Sequence, residues 1–185
     1  MFFDHCPTLV VVPHANAGDR NAWTEDQDVR PLSELGRRQA ADLAREIGIV
    51  DAVYSSPARR CTETVEPVAA AAGVEIVQLP ELHEIGSVVE HRAWDPWAPQ
   101  PPFSEWLLAA AGLGRVGRAI AIAAEAHPEG RVALCAHGDL VPLVAVFAAA
   151  QLGVPLPAPI DRGGAWEISR ASGVRSLGAV EPLPE

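Results

Sequence analysis

The fold of this chain is decided by the stretch TLVVVPH at residues 8–14. Residues 9–12 form a continuous, mostly β-branched apolar run, which is typical of a strand buried on both faces of a parallel sheet. The run ends at Pro13 and His14. A buried first strand that leads directly into a histidine is therefore the starting point for the rest of the chain.

The segment after this strand predicts a loop and then a helix. Residues 16–30 are polar and acidic and lack periodicity, which indicates a long loop. Residues 32–47 place apolar side chains at helical spacing, from Leu35 to Ile47. The first unit is therefore strand, loop and helix.

A second unit of the same kind follows. Residues 52–55 predict a strand, Ser56 is the expected N-cap of a helix, and Pro57 is its expected first residue. The helix is predicted to run to Ala72, because Gly73 is a typical terminating residue.

The remaining sequence continues the alternation of strands and helices. The predicted elements are a strand at 74–79, an irregular cap at 86–104, a helix at 109–127, a strand at 131–136, a helix at 140–151, a hairpin of 164–169 with 174–180, and a frayed tail at 181–185. This order predicts a single domain over residues 1–185. Its expected class is a three-layer α/β/α fold with a mostly parallel central sheet and one antiparallel edge strand.

The composition narrows the partners and the compartment. The chain has 24 acidic and 14 basic side chains and a formal net charge of -10, which disfavours binding to nucleic acid or to an anionic membrane surface. The three cysteines, Cys6, Cys61 and Cys135, match neither a disulfide framework nor a metal-site spacing. The N-terminus is a poor signal peptide, and the longest apolar run, 140–150, is too short to span a bilayer. We therefore expect a cytoplasmic protein without a metal site, and we make no prediction of its oligomeric state.

Polar residues follow each of the predicted parallel strands. His14 follows the first strand, Arg60 lies one turn beyond the second, Glu84 follows the third and His137 follows the fourth. Ligands in such sheets bind at the carboxyl ends of the strands, so these side chains are expected to share one edge. Two imidazoles and a guanidinium near helix N-termini favour a phosphate group as the ligand.

Arg60 also calls for an anion on its own account. A cation in the first turn of a helix is unfavourable by a few tenths of a kcal/mol unless an anion is nearby. A pair with Glu63 is the alternative, but Arg59 is spaced to take that partner instead. The alternative for each histidine is a hydrogen-bonded side chain without a chemical role.

Four motifs carry a resemblance to a known family. They are TLVVVPHA at 8–15, RPLSELGRRQA at 30–40, SSPARR at 55–60 and CAHGD at 135–139. Together and in this order they resemble the histidine phosphatase superfamily, which has the phosphoglycerate-mutase-like fold. The small bacterial phosphohistidine-phosphatase-like branch is the closest in size. The resemblance covers residues 8–85 and 131–170.

The resemblance implies a phosphatase that needs no cofactor, acting as a phosphomonoesterase or a protein phosphohistidine phosphatase. It implies a phosphohistidine intermediate on His14, with His137 and Arg60 holding the phosphoryl oxygens. It implies that Glu84 donates a proton to the leaving group. Other candidates for this proton donor lie close in the sequence, namely Glu81, His83 and Glu90.

The chain departs from the family at one important position. Members usually carry an arginine directly before the first histidine, and here that residue is Pro13. Loss of a preorganised donor lowers a rate by about 10²–10³, so reduced turnover is expected unless another cation compensates. Arg20 is the candidate phosphate contact, because a subset of the family carries an arginine at this spacing; its alternative is a surface charge.

The expected substrate is a phosphorylated small molecule or a phosphoprotein, and the acidic composition leans toward the phosphoprotein. The rival hypothesis is a phosphate- or phosphoprotein-binding domain that has lost turnover. A phosphoglycerate-mutase-like transferase is a weaker alternative, because the chain is short and has no extra basic residues for a second acidic group.

Overall fold

The computed structural model describes residues 7–85 and 103–180. Six strands form one sheet: β1 (Thr8–Pro13), β2 (Ala52–Ser55), β3 (Ile76–Gln78), β4 (Arg131–Ala136), β5 (Ile160–Ser169) and β6 (Gly173–Val180). Four helices flank it: α1 (Glu34–Ile47), α2 (Arg59–Ala72), α3 (Phe103–Ala126) and α4 (Val141–Leu152). Short 3-10 turns lie at Gln27–Val29 and Pro80–Leu82.

The strand order is β3-β2-β4-β1-β5-β6. The first four strands in this order are parallel, so their carboxyl ends lie along one edge of the sheet. β5 pairs antiparallel with β1, and β6 pairs antiparallel with β5. The predicted three-layer class is confirmed, and the predicted hairpin closes one side of the sheet. Because β5 runs against β1, its first residues stand at the same edge as the last residues of β1.

The apolar run of β1 is buried on both faces, as the sequence predicted. Leu9 and Val11 belong to the core under α3 and α4, whereas Val10 and Val12 belong to the core under α1 and α2. All four side chains are 2% exposed or less. The pleat therefore sends alternate residues to opposite helix layers, and β1 is fixed at the centre of the molecule.

The start of α2 differs from the sequence prediction. Ser56 is not the N-cap; the helix begins at Arg59, and its N-cap residue, Ala58, makes no side-chain capping bond. Ser56 is fully buried instead, and its hydroxyl lies 2.9 Å from Nε2 of His137. Ser56, which has a typical N-cap side chain, therefore contacts His137 and does not act as the N-cap of α2. The predicted end of the helix at Gly73, which has left-handed backbone angles, is confirmed.

Two further boundaries were placed too late in the sequence prediction. α3 begins at Phe103, directly after two prolines, so residues 103 and 104 of the predicted irregular cap are helical. The rest of that cap, 86–102, and the predicted frayed tail, 181–185, lie outside the described residues. β5 begins at Ile160 rather than at 164, since its Gly163 and Gly164 belong to an irregular part of the β5–β6 pairing and not to a turn.

Candidate active site

The five predicted site residues meet at the edge where β1 to β4 end. His14, Arg20, Glu84 and His137 line one pocket of about 800 Å³, and Arg60 contacts two of them from the fully buried side. Because parallel strands deliver their carboxyl ends to a common edge, residues far apart in the sequence come together here.

His14 is buried and held in one tautomer. Its Nδ1 lies 2.8 Å from the carbonyl oxygen of Ala15, and a carbonyl can only accept, so the proton is on Nδ1. Burial, together with the nearby cations Arg162, His137 and Arg60, lowers the pKa of His14 to about 3. The imidazole is therefore neutral at pH 7, with its lone pair on Nε2.

The backbone around His14 is fixed by two other elements. The His14 N–H donates to the Ala136 carbonyl across the sheet at 3.0 Å. The Ala15 N–H donates to the hydroxyl of Thr64 at 2.9 Å, and that hydroxyl donates to the Arg60 carbonyl at 2.6 Å. β4 and α2 thus hold the histidine rigidly, which favours a role that needs a fixed orientation.

His137 is the second buried imidazole, and its environment acts in the opposite direction. Burial alone would lower the pKa of His137, but hydrogen bonds with Cys61 and Glu84 outweigh it and raise the pKa to about 9. Its Nδ1 lies 3.3 Å from a Glu84 carboxylate oxygen, and its ring lies 5.6 Å from that of His14. At neutral pH the site therefore holds one neutral and one protonated histidine.

Arg60 has the anion that the sequence analysis called for. Its guanidinium is fully buried, donates to a carboxylate oxygen of Glu84 at 2.5 Å and donates to the Gln27 carbonyl at 2.5 Å. It also lies 3.2 Å from Nδ1 of His137. The predicted alternative is excluded in this structure, because Glu63 pairs with Arg59 at 2.6 Å.

Glu84 lies at the centre of these cations. Its carboxylate contacts Arg60 at 2.5 Å, Arg20 at 3.3 Å and His137 at 3.3 Å. The hydrogen bond and charge of His137, followed by the charges of Arg60 and Arg20, hold the pKa of Glu84 well below its usual range against the opposing effect of burial. The carboxylate is thus ionised and occupies the position where three donors converge, as a bound oxyanion would.

The segment that carries Glu84 is attached to α3 and to the start of α4. Arg115 donates to the backbone carbonyls of Pro80, His83 and Glu84 at 2.8–3.3 Å. The N–H of Ile85 donates to the Asp139 carboxylate at 2.9 Å. Glu84 is therefore presented by a braced turn.

The other candidate proton donors are placed differently. Glu81 pairs with Arg118 at 3.5 Å, away from the pocket. His83 contacts Asp28 at 2.9 Å, and its ring lies 5.7 Å from that of His137. Glu90 lies outside the described residues. Glu84 is the one of the described candidates that touches both His137 and Arg60.

Two arginines at the pocket received no role in the sequence analysis. Arg30 is buried and donates to the carbonyls of Ala17 and Gly18 at 3.0 and 3.2 Å, so it braces the loop that carries Arg20. Arg162, from β5, has Nη1 3.2 Å from Nδ1 of His14. Arg30 begins the motif at residues 30–40, so the sequence could have identified it as a candidate site residue. Arg162 was hidden because its strand was predicted to begin two residues later.

Comparison with known families shows which family the chain belongs to. The profile of the histidine phosphatase superfamily (branch 1) matches residues 12–162, a range that includes His14, Arg60, Glu84 and His137. The chain belongs to the histidine phosphatase superfamily.

One curated relative of this chain is an 8-oxo-(d)GTP phosphatase of Mycolicibacterium smegmatis, which is 34% identical over 88 residues. The match includes 46% of this chain but only 27% of the relative. The matched stretch thus spans about a quarter of the length of that protein.

Solved structures share the fold of this chain along nearly its whole length. A mycobacterial glucosyl-3-phosphoglycerate phosphatase has a TM-score of 0.58 at 24% identity, covering 95% of this chain and 100% of its own. A phosphoglycerate mutase from Bacillus anthracis has a TM-score of 0.62 at 17% identity, covering 98% and 94%. An alpha-ribazole phosphatase from Shigella flexneri has a TM-score of 0.58 at 19% identity, covering 95% and 96%.

Position 13, beside the pocket, carries no arginine, because Pro13 ends β1 there. Arg20 lies at the pocket and reaches Glu84, although its side chain is 61% exposed. Within the described residues, no group of three histidine, cysteine, aspartate or glutamate side chains is arranged to hold a metal ion. No helix in residues 7–85 or 103–180 is long and apolar enough to cross a membrane.

Proposed function

We propose that this chain is a phosphatase that hydrolyses phosphorylated small molecules through a phosphohistidine intermediate on His14. The observation that carries the proposal is the pair of unlike histidines. A neutral His14 with its proton fixed on Nδ1 has a nucleophilic lone pair on Nε2, and a protonated His137 lies beside it as a donor.

In the first step, Nε2 of His14 attacks the phosphorus atom of the substrate. The phosphorus–oxygen ester bond breaks, its electron pair goes to the leaving oxygen, and that oxygen takes up a proton. Arg60 and His137 stabilise the charge on the transferring phosphoryl oxygens, with Arg20 at the rim. The alcohol leaves, and the phosphoryl group stays on His14.

In the second step, water attacks the phosphorus atom and the phosphorus–nitrogen bond breaks, with its electron pair returning to His14. Glu84 takes the proton of the water, which the ionised carboxylate is ready to do. For the first step, Glu84 must acquire a proton as the phosphoryl group takes over its contacts with Arg60 and His137. Loss of those cationic contacts raises the pKa of the carboxyl, which makes it a proton donor when substrate is bound.

Replacement of Glu84 by glutamine is expected to change phosphate binding and turnover in opposite directions. The amide removes the anion that competes for Arg60, so we expect inorganic phosphate to bind about 10-fold more tightly, equivalent to ~1.4 kcal/mol. The same change removes the group that transfers protons, so kcat is expected to fall by about 10²–10⁴.

Calorimetry with phosphate and steady-state hydrolysis of an aryl phosphate measure the two effects. Glu81→Gln is the matched control, since Glu81 contacts Arg118 outside the pocket. A Glu84→Gln variant with weaker phosphate binding would contradict the competition between the carboxylate and phosphate.

Several observations support a small molecule as the substrate. The pocket of about 800 Å³ is larger than a phosphate group requires and is lined mainly by polar side chains. Three of the four proteins named above are named as phosphatases of small phosphorylated compounds, namely the 8-oxo-(d)GTP, glucosyl-3-phosphoglycerate and alpha-ribazole phosphatases. A phosphorylated protein side chain shares the same phosphoryl chemistry and serves as the second substrate to test.

The competing function is a domain that binds phosphate without turnover, and Pro13 is the observation that favours it. Trapping of the intermediate separates the two functions. We expect the wild type, quenched with base during hydrolysis of a labelled aryl phosphate, to carry acid-labile phosphate on His14. His127→Asn, outside the pocket, is expected to label equally. A wild-type chain that binds phosphate but neither labels nor turns over would establish the binding function instead.

A further inference from the structure

We propose that Arg162 replaces the positive charge that the chain lacks at position 13, by contacting the phosphoryl group beside His14. The proposal rests on the function proposed above and adds a residue from the far end of the chain to the site. Arg162 lines the same pocket as His14, His137 and Glu84.

The topology of the sheet brings Arg162 to the correct place. β5 pairs antiparallel with β1, with Trp166 opposite Val11. Continuing this pairing by two residues along each strand sets Gly164 opposite Pro13. Arg162 is two residues further along and therefore stands just beyond the carboxyl end of β1, where the ligand of a parallel sheet binds.

The contact between Arg162 and His14 indicates a missing acceptor. The proton on Nδ1 of His14 already donates to the Ala15 carbonyl at 2.8 Å. Nη1 of Arg162, itself a donor, lies 3.2 Å from the same nitrogen. Because Nδ1 carries that proton, it cannot accept from Arg162, and the guanidinium lacks an acceptor there. A phosphoryl oxygen bound in the same pocket would accept from it. Among the described residues, no carboxylate pairs with Arg162 to supply the missing acceptor.

The space beside Pro13 gives independent support. A small cavity of about 170 Å³ is lined by Pro13, His14, Arg162 and Trp166, among other residues. A longer side chain at position 13 would enter this space, and Arg162 now borders it. Arg162 therefore lies on the side of His14 that an arginine at position 13 would occupy.

The backbone of Arg162 is held in register with the His14 loop by one side chain. Gln39 of α1 donates to the Arg162 carbonyl at 2.8 Å and accepts from the N–H of Asn16 at 2.9 Å. Gly163, which follows, has a φ of 96°, in the region that favours glycine, and a β-carbon there would lie 3.1 Å from Gln39. Such an irregularity redirects the side chains next to it, and here it accompanies an arginine turned to the pocket.

The test uses the full chain and compares Arg162→Gln with Arg170→Gln, which removes an exposed arginine from the turn of the same hairpin. We expect Arg162→Gln to weaken phosphate binding by about 10-fold and to lower kcat/KM for an aryl phosphate by about 10²-fold. Arg170→Gln is expected to stay within about 2-fold of the wild type. Pro13→Arg, added to Arg162→Gln, is expected to recover at least about a tenth of the lost kcat/KM, because it restores a cation from the other strand.

The outcomes separate this proposal from the proposed function. If Arg162→Gln binds phosphate and turns over like the wild type while His14→Asn is inactive, the role of Arg162 is wrong and the phosphatase function stands. If the wild type binds phosphate without turnover and Arg162→Gln loses that binding, the function is wrong and the contact stands. A loss in Arg162→Gln that Pro13→Arg does not recover at all would overturn the replacement. Thermal unfolding of each variant identifies any loss that comes from the fold.

Discussion

His14→Asn is expected to lower kcat/KM for an aryl phosphate by about 10⁴-fold or more, a loss typical of removing a catalytic nucleophile. In the wild type, Nδ1 of His14 donates to the Ala15 carbonyl at 2.8 Å. The asparagine side chain can also donate to this carbonyl. It has no lone pair able to form a stable bond to phosphorus, so the route through a phosphoenzyme is closed. Arg60 and His137 remain, so phosphate binding should persist.

The measurement is steady-state hydrolysis together with phosphate calorimetry. His127→Asn is the matched control, because the ring of His127 packs against Tyr54, with 6.3 Å between ring centroids, and lies outside the pocket. Its hydrolysis is expected to stay within about 2-fold of the wild type. Residual hydrolysis by His14→Asn within 10-fold of the wild type would show that His14 is not the nucleophile.

Arg60→Ala is expected to lower kcat/KM by about 10²–10³ and to reduce the stability of the fold. The guanidinium is fully buried and contacts Glu84 and His137 at 2.5 and 3.2 Å, so its loss removes a preorganised donor to the phosphoryl oxygens. It also leaves the Glu84 carboxylate and the Gln27 carbonyl short of a donor. Since Glu84 still borders the open pocket, we expect the free energy of unfolding to fall by about 1–3 kcal/mol rather than more.

Arg59→Ala provides a control one residue away. Arg59 is 58% exposed and, among the residues that the structure describes, pairs with Glu63 alone. Such exposed pairs contribute about 0.2–1 kcal/mol. Its kcat/KM is expected to match that of the wild type. Denaturant unfolding and phosphate calorimetry on both variants separate the effect on the fold from the effect on binding. Equal losses in the two variants would contradict the placement of Arg60 in the site.

The convergence of His14, Arg60, Glu84 and His137 could be predicted from sequence because it depends on strand order alone. Each follows a strand that the apolar pattern identifies, and parallel strands end at one edge. The compensating anion for Arg60 could also be predicted in kind, from the unfavourable position of a cation in the first turn of a helix. Its identity as Glu84 could not, since that contact joins residues 24 positions apart across the pocket.

Other features depend on tertiary contacts that leave no periodic signal. Ser56 is a residue typical of an N-cap, yet its hydroxyl contacts Nε2 of His137 at 2.9 Å. The helix begins later, at Arg59. Arg162 precedes two glycines that suggest a turn, whereas Gly163 takes a φ of 96° inside a strand. Local propensity could not predict that these glycines lie within a strand, because the conformation of Gly163 depends on the packing of Gln39 against the strand.

The antiparallel direction of β5 also bears on the order in which the site is completed during synthesis. His14, Arg60, Glu84 and His137 leave the ribosome before the closing hairpin, so a nascent chain can hold every one of these groups while the flank of His14 is still open to water. The carbonyl of Arg162 joins Gln39 only when β5 docks beside β1. The β5–β6 hairpin therefore completes the pocket beside His14, and a nascent chain has an incomplete pocket until these two strands are in place.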